Sequence, residues 1–232
     1  MKKMVLVKFG GGLIAPKNWE PETADEKIIE RLVKEIDGIL VAVAVGSGNF
    51  GHAAVKKYGI ADEINVERVR IIAKKIGQIV ADKIKNSQLI ITHEKPWKVT
   101  DILDAGKTPV IYGDVMGINE IWSGERCLAE MIIEMSKKFK IERIIQVSIE
   151  DGVWDSSKKI IPEINNQNWS EIKKNVSGVV GGDATGGMLH KVEESLEIAK
   201  KYGIETWIVS GKVAERVRDA VSGKKVVGTV IV

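Results

Sequence analysis

The sequence predicts an α/β protein with an open, mostly parallel β-sheet sandwiched between helices. Three observations lead there. Short apolar runs rich in Val and Ile alternate with longer stretches of helical period, as in repeated strand–helix units. Glycine clusters stand at the junctions, at 10–12, 46–51 and 181–187. Ile39 to Val45 is continuously apolar, as a parallel strand covered on both faces must be.

The elements follow in order. Met4 to Phe9 reads as a strand ending at Gly10–Gly11–Gly12. Asp25 to Ile36 has apolar residues at 28, 29, 32, 33 and 36, a helical period that Gly38 breaks. Ile39 to Val45 is the next strand, followed by the loop Gly46 to Gly51 and a short helix to Tyr58. Ile64 to Ile84 reads as a long amphipathic helix. Leu89 to Thr92 and Pro109 to Tyr112 read as strands, with a helix at Val99 to Ala105 between them. Leu128 to Met135 is helical in pattern, and Arg143 to Ser148 is a strand closed by Asp151–Gly152. After the glycines of 178–187 come a helix at Met188 to Tyr202, a strand at Thr206 to Ser210, a helix at Val213 to Val221 and a last strand at Val226 to Val232.

The chain has 232 residues, against about 150 in a typical domain. One large domain, 1–232, is the expectation, with a soft division near Val115 to Glu125. Apolar residues make up 44% and charged residues 29%, which supports a full core and excludes disorder. No apolar run approaches the roughly 20 residues of a membrane span. Met4 to Val7, between Lys3 and Lys8, is too short for a signal-peptide core. The single cysteine, Cys127, excludes an internal disulfide, and the three scattered histidines fit no standard zinc spacing. A cytoplasmic protein without a protein-held metal is expected. Net charge is +3, with acids and bases interleaved as in Lys27, Glu30, Arg31, Lys34 and Glu35. That pattern suits a solvated helix face. No basic block interleaved with aromatics points to nucleic acid.

The glycine loops carry the functional signal. Glycine lets backbone N–H groups converge on an anion, and a following helix N-terminus adds partial positive charge. Three such loops, two with a lysine beside them (Lys8 and Lys191), point to phosphate binding. Gly46 to Gly51 is a literal G-x-G-x-x-G, which keeps a dinucleotide-dependent oxidoreductase as an alternative. Such a fold needs a second strand ending in an acid about 20 residues on. Here the stretch from Ile64 has helical period, and Asp62 and Glu63 precede it. Gly106–Lys107–Thr108 misses a Walker A loop, because Asp101 stands where glycine is required. His52 follows Gly51 at a helix start, where it can donate to a phosphate oxygen. His93 and His190 have no such context.

These residues carry a resemblance. Lys8 to Gly12 looks like the N-terminal Lys-x-Gly-Gly-Ser of the amino acid kinase superfamily. Gly46 to Tyr58 is similar to the histidine-bearing glycine loop of its isopentenyl phosphate kinase branch, which fosfomycin kinases also resemble. Pro109 to Val115 resembles that branch's central strand and turn. Ser148 to Trp154 resembles its nucleotide-side segment, and Asp183 to Lys191 its D-V-T-G-G-M-x-x-K motif. The matches run in the family's order along nearly the whole chain. Three departures stand out: Ser47 and Asn49 in the glycine loop, Ser148 to Asp151 on the nucleotide side, and Ser123–Gly124–Glu125–Arg126 in place of Ser-Gly-Asp-Asp.

The resemblance implies an ATP-dependent kinase using Mg²⁺, with a small phosphorylated acceptor and usually a homodimeric assembly. Acceptor binding falls to about residues 1–120 and nucleotide binding to about 121–232. The implied catalytic residues are Lys8, His52, Lys191 and Glu125. Acceptor contacts are Gly46, Ser47, Gly48, Gly51, His52, Gly113 and Asp114. Nucleotide contacts are Lys8, Gly10, Gly11, Gly12, Lys17, Asp151, Gly152, Asp183, Gly186, Gly187 and Lys191. Isopentenyl phosphate is the acceptor the resemblance favours. Another phosphate, a phosphonate or a carboxylate, or a ligand-sensing domain without catalysis, are its alternatives. A phosphate acceptor, with a second pKa near 6, is largely anionic at neutral pH. It needs no general base, in keeping with the absence of a paired-carboxylate or Ser-His-Asp pattern. An isoprenoid tail would need an apolar pocket, expected along the Ile64 to Ile84 helix.

Overall fold

The computed structural model describes residues 1–176 and 184–232. Strand β1 (Lys2–Phe9) leads into α1 (Gly11–Ile14), and α2 (Glu26–Ile36) returns the chain to β2 (Val41–Val45). Two helices, α3 (Gly48–Tyr58) and α4 (Glu63–Lys83), precede β3 (Ser87–Leu89), and α5 (Val99–Asp104) precedes β4 (Thr108–Tyr112). A hairpin, β5 (Asp114–Gly117) and β6 (Glu120–Trp122), runs into α6 (Gly124–Met135) and β7 (Phe139–Ser148). Then come β8 (Glu163–Ile164), α7 (Trp169–Val176), α8 (Ala184–Tyr202), β9 (Glu205–Ser210), α9 (Arg216–Val221) and β10 (Gly228–Ile231).

Eight strands form one sheet in the order β3-β4-β2-β1-β7-β9-β10-β8. The six from β3 to β9 are parallel, while β10 pairs antiparallel to β9. Both faces of the central strands are buried. In β1, Val5, Val7 and Phe9 join one apolar cluster and Met4 and Leu6 the other. Val41, Val43 and Val45 of β2 divide from Ala42 and Ala44 in the same way. This period of two explains why these strands read as unbroken apolar runs. Helices α2, α4 and α9 cover the first face, with Ile29, Leu32, Ile76, Val80 and Val217. Helices α5 and α6 cover the second, with Ile102, Leu128, Met131 and Ile132.

The sequence and the fold differ at element ends. Ile39 belongs to the turn after α2, its N–H donating to the Ile36 carbonyl, so β2 starts at Val41. The third strand lies at Ser87–Leu89, not Leu89 to Thr92. By Thr92 the chain has turned, and its hydroxyl donates to the Tyr112 carbonyl. The segment Val115 to Glu125, where a soft division is expected, holds most of the β5–β6 hairpin and the start of α6. Neither β8 nor α7 announces itself in sequence: β8 has two residues, and α7 finds its partner only in the cluster around Met188 and Val192.

The chain passes from β1 to β2 on one side and returns to β7 on the other, so strand order reverses beside β1. In open α/β sheets, ligands bind beyond the carboxyl ends of the strands at such a point. Phe9 lies level with Val45 and Val147, and Val45 with Tyr112. The loops after β1, β2, β4 and β7 therefore emerge at one edge.

Candidate functional site

Those loops enclose a cleft of about 1160 Å³. The first two touch backbone to backbone: a side chain at Gly11 or Gly46 would strike the other loop. Gly48, at a φ of +50°, would strike the Ala15 carbonyl. Glycine is required there by close approach, which explains two of the three clusters. The amides of Gly11, Gly12, Ser47 and Gly48 donate to no protein acceptor among the described residues. They are available to an anion in the cleft.

Asn49, a departure from the family loop, is buried and structural. Its amide donates to the carbonyls of Pro16 (2.9 Å) and Thr23 (2.8 Å), and its oxygen accepts from the Thr23 N–H (3.2 Å). It ties the segment carrying Lys17 to the start of α3.

Lys8, at the end of β1, is 5% exposed and forms an ion pair with Glu125 in the first turn of α6. Gly124 allows this, since a Cβ there would lie 3.1 Å from Cε of Lys8. Burial alone would raise the Glu125 carboxyl, but the Lys8 ammonium and its hydrogen bond outweigh burial and hold it below the ordinary value. Lys191 approaches from α8, with its ammonium 3.5 Å from Oγ of Ser148. Burial, then repulsion from Lys8, pushes its pKa down to about 8.

Lys8, Lys17, Lys191, His52, Glu125, Asp114, Ser47 and the glycines 10, 11, 12, 46, 48, 51, 113, 152 and 187 all border the cleft. Asp114 is buried in its wall with both oxygens engaged: one accepts from the Val115 N–H (2.9 Å), the other lies 2.8 Å from Nδ1 of His93. Burial raises its pKa against the pull of His93 and Val115. Asp151 does not border the cleft. Its carboxylate pairs with Arg216 of α9, outside the set that the fold brings together. Asp183 lies outside the described residues, and Gly186 is in the first turn of α8.

Sequence reasoning missed several cleft residues. His190 and Glu194, four apart on α8, are paired at 3.1 Å, and Glu194 also accepts from Oγ of Ser123. Burial, then Glu125, raises the Glu194 pKa. Glu194 stands three residues after Lys191, so helical phase placed it on the lysine's face. His93 lies behind the cleft wall, against Asp114, a partner 21 positions away that no local pattern links to it. Trp122, Arg126, Glu150 and Trp154 also border the cleft.

The sequence model of the amino acid kinase family matches residues 3–210. The chain belongs to the amino acid kinase family. As a member it is a small-molecule kinase. The isopentenyl phosphate kinase of Methanothermobacter thermautotrophicus is 27% identical over 265 aligned residues, covering 97% of this chain and 98% of that protein. An isopentenyl phosphate kinase crystal structure superimposes with a TM-score of 0.77 at 22% identity, covering 98% of this chain and all of that one. The product complex of the T. acidophilum isopentenyl phosphate kinase gives 0.75 at 24%, covering 99% and 100%. Carbamate kinase from Giardia lamblia gives 0.68 at 14%, covering 100% and 98%. Membership agrees with the path of the second glycine loop, which leads through α3 into α4 without the second strand of a dinucleotide fold. Among the described residues no helix is long and apolar enough to cross a membrane.

Proposed function

We propose that the chain transfers the γ-phosphoryl group of ATP to the phosphate of a small monoester with a short apolar tail, isopentenyl phosphate being the best candidate. The observation that carries this reading is the cleft's division about Lys8. On the β2 and β4 side, His52 and the glycine loop border a wall of Val55, Val69, Ala73, Val115 and Ile121. On the β7 and β9 side lie Ser148, Glu150, Gly152, Trp154, Gly187 and Lys191. An apolar wall with a cationic and glycine-lined mouth suits a tail bearing a phosphate. The wall's α4 residues, Val69 and Ala73, lie on the helix expected for the tail.

The cleft fits the nucleotide by its donors: unclaimed glycine amides, two lysines and, at Gly187, open space where a Cβ would stand. Bound Mg²⁺–ATP supplies the phosphoryl group and part of the charge neutralisation. Among the described residues no three His, Cys, Asp or Glu side chains form a metal cage. The cation would therefore be held mainly by phosphates and water, as Mg²⁺ commonly is. Lys8, fixed by Glu125, would draw together the acceptor oxygen and the γ-phosphoryl group. Lys191 would balance charge from the nucleotide side, and His52 would orient the acceptor phosphate. The acceptor oxygen bonds to γ-phosphorus as the bond to the β–γ bridging oxygen breaks, and ADP leaves. No base is needed, because the acceptor is already anionic. The buried Lys8–Glu125 pair favours catalysis over ligand sensing, since a sensor needs no ordered lysine between two phosphates. Cytoplasmic location and a homodimer complete the proposal.

Purified protein with ATP, Mg²⁺ and an acceptor panel tests it. Isopentenyl phosphate should yield ADP and the diphosphate. Isopentenol, carbamate and an alkyl carboxylate should not. Turnover of the carboxylate alone, or of none of the phosphate monoesters, would sink the reading.

A further inference from the structure

Arg126 stands in the first turn of α6, one residue after Glu125, and borders the cleft. Its guanidinium lies 4.4 Å from the centroid of the Trp122 ring. Trp122 is itself fixed: it is buried, meets Trp97 edge to face at 6.2 Å, and donates from Nε1 to Glu120 (2.8 Å). Among the described residues Arg126 has no carboxylate partner.

This placement runs against local electrostatics. A cation in the first turn of a helix opposes the helix dipole, and this one also faces a cleft containing Lys8 and Lys191. Lys8 has a buried counter-ion, whereas Arg126, exposed at the cleft, rests on the Trp122 ring, which Lys95 also approaches at 4.5 Å and which orients a guanidinium without neutralising it. Positions where a local rule is broken without internal compensation are commonly functional. An anion in the cleft would supply that compensation. Trp122 belongs to the hairpin that supplies Val115 and Ile121 to the apolar wall, so the guanidinium stands on the acceptor side.

We propose that Arg126 is a specificity-determining residue that binds the acceptor's dianionic phosphate through its guanidinium fork, in the cleft that His52 also borders. This rests on the reading of the cleft as a phosphate-acceptor site. The planar fork matches two oxygens of a tetrahedral dianion, and stacking on Trp122 pre-orders it, so little side-chain freedom is lost on binding.

The test compares wild type, Arg126→Gln and Arg126→Lys in steady-state kinetics, with calorimetric binding of isopentenyl phosphate in the absence of nucleotide. Arg126→Gln should raise KM and Kd for isopentenyl phosphate about ten- to a hundredfold, leave KM for ATP within about twofold, and leave Tm unchanged. Arg126→Lys should recover only part of the affinity, since it keeps charge but loses the fork and the stacking. Unchanged acceptor KM and Kd in Arg126→Gln, or a rise in KM for ATP instead, would overturn the proposal and leave the kinase reading standing. A wild type that neither binds nor phosphorylates any phosphate monoester would overturn both.

Discussion

Lys8 and Glu125 lie 117 positions apart in sequence and form an ion pair in the buried floor of the cleft. Glutamate stands where the resembling family has aspartate, and its carboxylate still reaches the Lys8 ammonium. Removing one member of a buried pair leaves the other charged and unpaired, at a cost of about 3–5 kcal/mol. Glu125→Gln should therefore lower Tm markedly and reduce kcat at least tenfold. Glu130→Gln, on the same helix, breaks only the partly exposed pair with Lys95 and should change stability by about 0–1 kcal/mol. Wild-type activity in Glu125→Gln would end the positioning role.

Lys8→Ala and Lys191→Ala should each depress kcat far more than Lys138→Ala or Lys200→Ala. Both control lysines lie on the surface, and Lys138 pairs with Asp104 at a half-exposed site. Small and equal losses at all four positions would show that the cleft lysines do not serve the reaction.

The depressed Lys191 pKa predicts opposite pH trends for activity and stability. In the ligand-free protein the ammonium loses its proton as pH rises through about 8. Lys8, Glu125, Glu150 and Lys17 face it electrostatically, and Glu125 stays ionised through this range because its own pKa is lowered. The value of kcat/KM should then fall up to tenfold per unit above pH 8. The folded pKa lies below the unfolded value of 10.5, so the unfolded chain binds more protons between about 8 and 10.5. Over that window this group's contribution to stability rises with pH. A pH–rate profile paired with melting curves should show activity lost while the fold holds. In Lys191→Met this alkaline limb should vanish from the residual rate.

His52→Ala should lower kcat/KM for the acceptor about ten- to a hundredfold, the worth of one hydrogen bond to a charged group. His52 is exposed at the cleft, so the melting temperature should stay near wild type. An unchanged kcat/KM would remove it from the site.

Asn49→Ala should cost about 1–3 kcal/mol in urea unfolding, because the Pro16 and Thr23 carbonyls lose their donor. Asn49→Asp should be at least as damaging, since it removes both donations and buries a charge. Stability equal to wild type in both variants would show that the 16–23 segment is held by other contacts.

The strand–helix alternation, the parallel sheet and the first two glycine loops were legible in the sequence, because they rest on local physics. A strand buried on both faces must be apolar at every position, and a covering helix must repeat near 3.6 residues. A loop whose backbone touches another's must be glycine. What lay beyond the sequence depended on strand order. Placing β7 beside β1 brought Ser148 and Lys191 toward Lys8, and α6 brought Glu125 onto it. The same packing turned Asp151 to Arg216, set His93 against Asp114 and laid Arg126 on Trp122. Ion pairs, depressed pKa values and stacked cations act over a few ångströms between residues tens of positions apart. No periodicity along the chain encodes such distances, so only the tertiary structure decided them.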